Sequence, residues 1–385
     1  MGQSSLKVSK MRKKSDIVTQ AVIGEQARKI AERHGLTEER LRFNRKWVRG
    51  FARRHQLRRR GFNTDTAMSK EDENLGMRAW HRGLRIVIRG ASFDGSKYGR
   101  FPPITRFNMD ETGFGFWPTS RSTYTTATER AGTGRIRKPG GRRSRFGTAV
   151  ATVHMGHQLM PLLLLFKGKG ELKWEEILEL EGRSVHWCVP HKFNPSAWMN
   201  QGVLAQWFKE TFLPAARAIV AAPREILLLL DNCGSCHQSP EFDELAAANN
   251  VVVHYGPPNL TGRWQPADAA VLKTFKDLFA KELEAWKKRS KRNRQLFRSK
   301  KWSAQQQRVC AIEFAALAWR ALHSADYEAM HNKAWFATGC GMTADGTEDH
   351  KIHPQGHDDY LPPSPPGGRP AAAAEALFDE LFGSV

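Results

Sequence analysis

What the sequence lacks narrows the possibilities first. Long apolar runs are missing: the longest, Leu159–Phe166, is eight residues, well short of the ~18 that a membrane-spanning helix needs. No signal-peptide core follows the N-terminal charges. Met1-Gly2 leads to Leu6, where N-myristoylation wants Ser or Thr. These absences predict a chain that is neither membrane-bound nor secreted. Cysteine is sparse, with five in 385 residues (Cys188, Cys233, Cys236, Cys310, Cys340). An odd count of that size predicts reduced thiols in an intracellular protein, not a disulfide framework. There is no internal repeat, and with 40% hydrophobic and 26% charged residues the chain is neither disordered overall nor fibrous.

Negative charge is the other deficit. Sixty Lys+Arg against 39 Asp+Glu leave +21 and a pI near 10, which points to a polyanionic partner. The excess is concentrated. Residues 1–60 hold 18 basic and 5 acidic side chains (net +13), and residues 281–308 hold 11 and 2 (net +9). Nucleic acid is the expected partner, and Lys287-Lys288-Arg289-Ser290-Lys291-Arg292 could serve as an import signal or a DNA clamp.

The patterning divides the chain. Residues 1–16 are polar and basic. Ile17–Arg33 keeps helical spacing, Gly35 ends it, and Thr37 could cap a short second turn. Asn44–His55 sets Trp47, Val48, Phe51 and Ala52 on one face and Arg45, Lys46, Arg49, Arg53 and Arg54 on the others, with Arg58 just beyond. Small helices with one arginine-studded face suit a helix-turn-helix DNA reader; an ordinary basic three-helix bundle is the alternative. Residues 69–90 predict an exposed helical spacer. Beyond it come strands at Ile104–Glu111, Arg145–His154, Gln158–Lys167, Glu225–Leu230 and Asn250–Tyr255, the second and third joined as a hairpin at Met155-Gly156-His157. Helices are expected at Gln201–Val220 (with a bend at Pro214), Pro240–Ala248, Asp268–Lys288 and Ser303–His323. The order describes a mixed sheet with helices packed on it. Residues 343–370 predict a Gly/Pro-rich linker. The tail Ala371–Phe382 predicts an amphipathic helix, either a docking peptide or an end packed back on the protein.

Three aspartates stand at strand ends or helix starts: Asp110 closing the first strand, Asp231 after Ile226-Leu227-Leu228-Leu229-Leu230, and Asp268 opening a helix after Gln265-Pro266-Ala267. A rigid sheet can gather three such carboxylates at its rim. Their mutual repulsion calls for hard, oxygen-seeking cations, Mg²⁺ or Mn²⁺, which suit phosphodiester cleavage. Cys233-Gly234-Ser235-Cys236-His237 also matches haem-attachment and redox patterns, and with Cys188 or His191 it could form a zinc site. Chance spacing among fourteen histidines accounts for it better than any of these.

Asn108-Met109-Asp110-Glu111-Thr112-Gly113, Leu229-Leu230-Asp231-Asn232-Cys233-Gly234-Ser235 and Gln265-Pro266-Ala267-Asp268 with Phe275-Lys276 resemble the catalytic blocks of pogo-type transposases of the Tc1/mariner (DDE/DDD) superfamily. Asp231 and Asp268 are separated by 36 residues, in keeping with that family's short second interval. Trp47–His55 with Leu57-Arg58 is similar to the second helix-turn-helix of the centromere-protein-B-like domain. Ser303–Gly339, with Trp319 and Phe336, resembles the C-terminal segment. Three features depart from the family pattern: Cys236 stands where a His usually follows the second Asp, with His237 one residue later; the helix-turn-helix region before Ile17 is shorter than the bipartite family domain; and Gly262-Arg263-Trp264 replaces a Ser- and Leu-rich run.

The resemblance implies an RNase H-like α/β catalytic core with an N-terminal all-α helix-turn-helix domain and a C-terminal helical segment. The expected division is 1–68 DNA-binding, 69–102 spacer and linker, 103–290 catalytic, 291–342 basic and helical, 343–370 linker and 371–385 acidic tail. The implied activity is metal-dependent cleavage of double-stranded DNA at transposon ends and strand transfer to a target, with a TA target step and a homodimer on DNA, in the nucleus. Asp110, Asp231 and Asp268 would be metal ligands, Asn232 would shape the loop, and Glu111 would lie behind them or serve as an alternate ligand. Arg45, Lys46, Arg49, Arg53, Arg54 and Arg58 would contact DNA. The alternatives are a domesticated transposase-derived binder without catalysis, an inactive or truncated copy, and an RNA-cleaving nuclease of the same fold.

Overall fold

The computed structural model describes residues 18–35, 43–61, 68–116, 122–125, 146–183, 189–233, 237–299 and 302–365. The chain divides into two compact units, Met1–Ala67 with Trp117–Ser144, and Met68–Phe116 with Arg145–Val385.

In the first unit, helix α1 (Gln20–Arg33) starts where Thr19 Oγ1 accepts the Val22 N–H, and α2 (Arg45–Arg54) where Asn44 Oδ1 accepts the Trp47 N–H, satisfying amides that a helix start leaves open. Beyond α1, Gly35 takes a left-handed φ of +68°, a conformation glycine adopts without a side-chain clash. Val18, Ile23, Val48, Ala52 and Leu57 form a small core, with Trp47 and Phe51 packed against it. Arg58–Gly61 pairs antiparallel with Ser122–Thr125. The turn expected at Thr37, residues 1–16 and the tail 371–385 lie outside the described residues.

The second unit is built on six strands: β1 (Arg106–Phe114), β2 (Gly147–His154), β3 (Leu162–Lys167), β4 (His191–Asn194), β5 (Ile226–Leu230) and β6 (Val251–Tyr255). Their order is β4-β3-β2-β1-β5-β6. β2 is antiparallel to β1 and β3, and the other neighbours are parallel. This is the expected RNase H-like α/β arrangement. β5 is an unbroken apolar run because the sheet is covered on both faces and every one of its residues is buried.

Helix α4 (Trp174–Arg183) belongs with the helices of the far face, where Arg308 pairs with its buried Glu176 at 2.5 Å; on the near face lie α5 (Gln201–Trp207), α6 (Leu213–Ile219) and α7 (Pro240–Ala247). Leu204, Trp207, Phe208, Phe212, Ala216, Phe242 and Ala246 pack with Phe107, Met109, Leu228 and Leu230 of the sheet. The irregularity expected at Pro214 is a π-turn just before it, Phe208–Phe212. Proline cannot donate to the helix and crowds the preceding turn, and a widened turn relieves both.

The opposite face is reached through α8 (Thr261–Trp264), a π-turn over Ala267–Val271, α9 (Leu272–Arg289), α10 (Lys291–Ser299), α11 (Ala304–Leu322) and α12 (Glu328–Ala337). Phe114, Phe275, Phe279, Phe314 and Trp319 join there ring against ring. Ser303 and Gln306 form a capping box at the start of α11. Trp264 packs flush against Gly256, where an added Cβ would fall 1.9 Å from the indole.

Residues 69–90 depart from the expected exposed spacer. Their helix, α3 (Lys70–Arg89), buries Met77, Trp80, His81, Leu84, Arg85 and Ile88, a stripe at helical spacing whose charged neighbours disguise it. The stretch expected to be a linker from residue 343 is described as far as 365, with Ala344, Ile352, His357 and Tyr360 buried. It is tied to α3: His81 Nε2 donates to Thr338 O at 3.0 Å and Nδ1 accepts from the Tyr360 hydroxyl, Arg85 pairs with Asp349 at 2.5 Å, and Arg78 donates to Leu361 O at 2.7 Å. No helix among the described residues is long and apolar enough to cross a membrane.

Candidate functional site

Asp110 does not end its strand, as its sequence context suggested; β1 runs on to Phe114. What ends there is the pairing with β5, whose last matched positions are Asn108 and Leu229. Beyond them β1 keeps only β2 as a partner, Asp110 opposite Ala151. Two residues past the same matched pair on β5 stands Asp231. The two carboxylates therefore occupy equivalent levels on parallel neighbours where the sheet opens. Phe107 and Met109 point into the core beneath α5–α7, so Asn108 and Asp110 take the other face by strand alternation. That is the side of the π-turn carrying Asp268.

Asp110 is buried, at 6% exposure. Burial first, then the negative fields of Asp268, Glu111 and Asp231, raise its pKa well above the usual carboxylate range. Asp231 and Asp268 thus both act on Asp110, Asp268 from an exposed position. Glu111 is a fourth member.

His237 answers part of this charge. One ring nitrogen, Nδ1, donates to Asp231 Oδ1 and the other, Nε2, to Glu111 Oε1 at 2.7 Å. Burial alone would lower the pKa of this imidazole, but the hydrogen bonds to Asp231 and Glu111 outweigh it and push it up to about 10. The His237 N–H also closes a turn onto Cys233 O at 2.7 Å, and Tyr255 donates its hydroxyl to His237 O at 3.1 Å. In the sequence pattern alone His237 reads as a displaced residue in a coincidental motif. The missed signal was the turn, which brings a histidine six positions after Asp231 back onto it.

The competing readings of that motif lose their geometry. Both ring nitrogens of His237 are engaged by carboxylates. His191 lies on β4, separated from β5 by three intervening strands, or roughly 19 Å at the usual strand spacing. Cys233 is disulfide-bonded, which departs from the expectation of reduced thiols throughout; an odd total count does not forbid a single pair. Cys310 and Cys340 are buried and lie outside any disulfide.

The donor set suits a hard divalent cation. The charged groups acting most strongly on Asp110 are all carboxylates, and oxygen donors of that charge are what Mg²⁺ and Mn²⁺ select. Among the described residues, no three His, Cys, Asp or Glu side chains stand close enough together to hold a metal ion as they are.

In the first unit, the basic residues singled out on α2 are exposed: Arg45, Lys46, Arg49, Arg53 and Arg54, with Arg58 exposed after the helix. Val48 and Ala52 are buried on its other side. Trp47 stacks on Phe51 with centroids 5.2 Å apart, and Phe51 meets His55 at 4.4 Å.

Residues 7–61 match the Tc5 transposase DNA-binding domain, and residues 143–330 match the DDE superfamily endonuclease domain. The chain carries a DDE superfamily endonuclease domain together with a transposase-type DNA-binding domain. Its endonuclease match takes in Asp231 and Asp268 but begins after β1 and Asp110. Two solved structures are distant likenesses. The Mos1 strand transfer complex has a TM-score of 0.31 and 12% identity over 88% of this chain and 79% of that one. The mariner Mos1 paired end complex with Mg has a TM-score of 0.29 and 12% identity over 84% and 78%. The identification rests on the two domain matches. It makes this transposase a DNA-binding protein, and of a superfamily that works with a divalent metal.

Proposed function

We propose that Asp110, Asp231 and Asp268 hold Mg²⁺ or Mn²⁺ and form the centre at which this transposase cuts DNA and joins the cut strand to a target. The observation that carries this reading is the buried Asp110 carboxyl, raised by three other carboxylates where β1 and β5 part. A bound divalent ion would supply Lewis-acid stabilisation of the phosphate and a more acidic attacking water or 3′-hydroxyl. The chain's own residues do the rest. The sheet fixes Asp110 and Asp231 at one level, and the π-turn presents Asp268 from the neighbouring layer. His237 holds the Asp231 and Glu111 carboxylates in one orientation through its two N–H groups. No side chain is required to attack phosphorus.

The exposed arginines and lysine of α2, with Arg58, are proposed as the duplex contacts. Arg49→Glu should weaken binding and lower the slope of log affinity against log salt, each phosphate contact contributing about 0.9 to that slope. An unchanged slope would move the DNA contact elsewhere. Transposon ends as substrate, a TA target step, a homodimer on DNA and a nuclear location complete the reading. The test is nicking of supercoiled plasmid by the purified chain in Mg²⁺ or Mn²⁺, with Asp231→Asn alongside. Nicking that needs the metal and vanishes in the variant supports the assignment; nicking that survives Asp231→Asn refutes it. Metal-independent DNA binding without nicking would instead favour a domesticated binder.

A further inference from the structure

Two uncharged side chains lie fully buried among the elements that carry the acids: Asn108 on β1 and Gln265 just before the π-turn. A buried amide is unfavourable unless its hydrogen bonds are made, so its partners reveal what it is there to hold. Asn108 Nδ2 donates to Leu229 O at 3.0 Å, and its Oδ1 accepts the Ala267 N–H at 3.1 Å. Gln265 Nε2 donates to Met109 O at 3.0 Å. These backbone groups lie where β1 and β5 part, where neither strand offers the other a further ladder partner. Each lies one or two residues before an acid: Met109 before Asp110, Leu229 before Asp231, Ala267 before Asp268.

We infer that Asn108 and Gln265 are positioning residues that set the spacing of the three carboxylates for the divalent cation. Asn108 joins the β5 end to the π-turn, tying the Asp231 element to the Asp268 element from the strand that bears Asp110. Gln265 closes the figure from the opposite side. An apolar pair could fill the same volume, but it would leave two carbonyls and an amide unbonded and the three elements untied at the point where their separation matters. The inference rests on the proposed metal role of the aspartates. It adds the claim that ligand geometry is imposed through backbone anchored by two amides rather than by the sheet ladder alone.

The test is Mn²⁺ binding to the full chain by calorimetry without DNA, so it does not depend on turnover. The variants are Asn108→Leu and Gln265→Met, with Val309→Ala in α11 as a control for general loss of stability. Asn108→Leu should weaken Mn²⁺ binding about tenfold or more, in the range seen when residues behind metal ligands are removed. Gln265→Met, which loses one bond and whose Oε1 has no partner to forfeit, should weaken it less but measurably. Val309→Ala should lower the thermal midpoint and leave Mn²⁺ affinity unchanged. On plasmid, the two amide variants should lose kcat with little change in KM for DNA. Parent-like Mn²⁺ affinity in folded Gln265→Met and Asn108→Leu would overturn the inference and leave the amides as plain structural caps. Asp231→Asn is titrated in the same series. If it too binds Mn²⁺ like the parent, the metal assignment has failed and the inference falls with it.

Discussion

Arg106 and Asp110 lie four residues apart on β1 and are both buried, yet their surroundings are opposite. The Arg106 guanidinium sits in a shell of carbonyls, donating to Phe101 O at 2.6 Å, Met342 O at 2.8 Å, Cys340 O at 3.2 Å and Tyr98 O at 3.5 Å. Burial pulls its pKa down to about 10, which still leaves it charged at neutral pH. Asp110 faces Asp268, Glu111 and Asp231, all of its own sign. One end of the strand spends a charge on holding the 338–365 segment in place. The other end gathers charge of one sign, answered in part by His237. A strained charge cluster inside an otherwise satisfied unit is where function is expected to override stability.

The largest effect should come from neutralising the unsettled end. Asp110→Asn should lower DNA cleavage about 1,000-fold or more, as losses of groups that act as a unit do. The same change should make the protein more stable, raising the thermal midpoint by roughly 2–4 °C for each 1 kcal/mol of repulsion relieved. A fall in both activity and midpoint would mean that Asp110 is a structural residue like Arg106. At the settled end, Arg106→Met should cost about 3–5 kcal/mol in denaturant unfolding, since its carbonyl shell loses every donor at once. A loss below about 1 kcal/mol would show those carbonyls satisfied by other means.

Histidines sharpen the same contrast. His237 keeps its proton because carboxylates face both of its nitrogens. His81, His254 and His323 are pushed by burial down to about 4 and His331 to about 3. Once pH drops below 6.5 the unfolded chain takes up protons that these four folded imidazoles refuse. Stability should therefore fall progressively between about pH 6.5 and pH 4. The thermal midpoint followed across that range checks this, and His331→Gln should flatten the curve. The smallest expected change is Tyr360→Phe. It removes the hydroxyl bonded to His81 and should lower unfolding free energy by about 1 kcal/mol, without altering cleavage.

The chemistry was more legible in the sequence than the architecture around it. Asp231 stood out because a run such as Ile226–Leu230 has no reason to end in a charge. The basic face of α2 stood out because its apolar stripe is short and clean. Asp-Glu-Thr-Gly breaks the apolar alternation, which predicts a strand end at Asp110. The structure shows that the break marks the departure of β5, a long-range event that no local pattern encodes. The 338–365 segment was hidden for a related reason. It is held by single buried side chains and by backbone carbonyls given to Arg106, without any periodicity. His237 was hidden by the loop, since a turn onto Cys233 cannot be read from spacing alone.

The measurement that bears most directly on the central claim is the thermal midpoint of the parent chain and of Asp110→Asn across a Mn²⁺ titration. An ion that binds only the folded protein stabilises it by about 2.7 kcal/mol at a hundredfold excess over its dissociation constant. The account predicts that Mn²⁺ raises the parent's midpoint steadily, while Asp110→Asn begins higher and gains less. A parent midpoint that ignores Mn²⁺, or equal gains in both proteins, would contradict it.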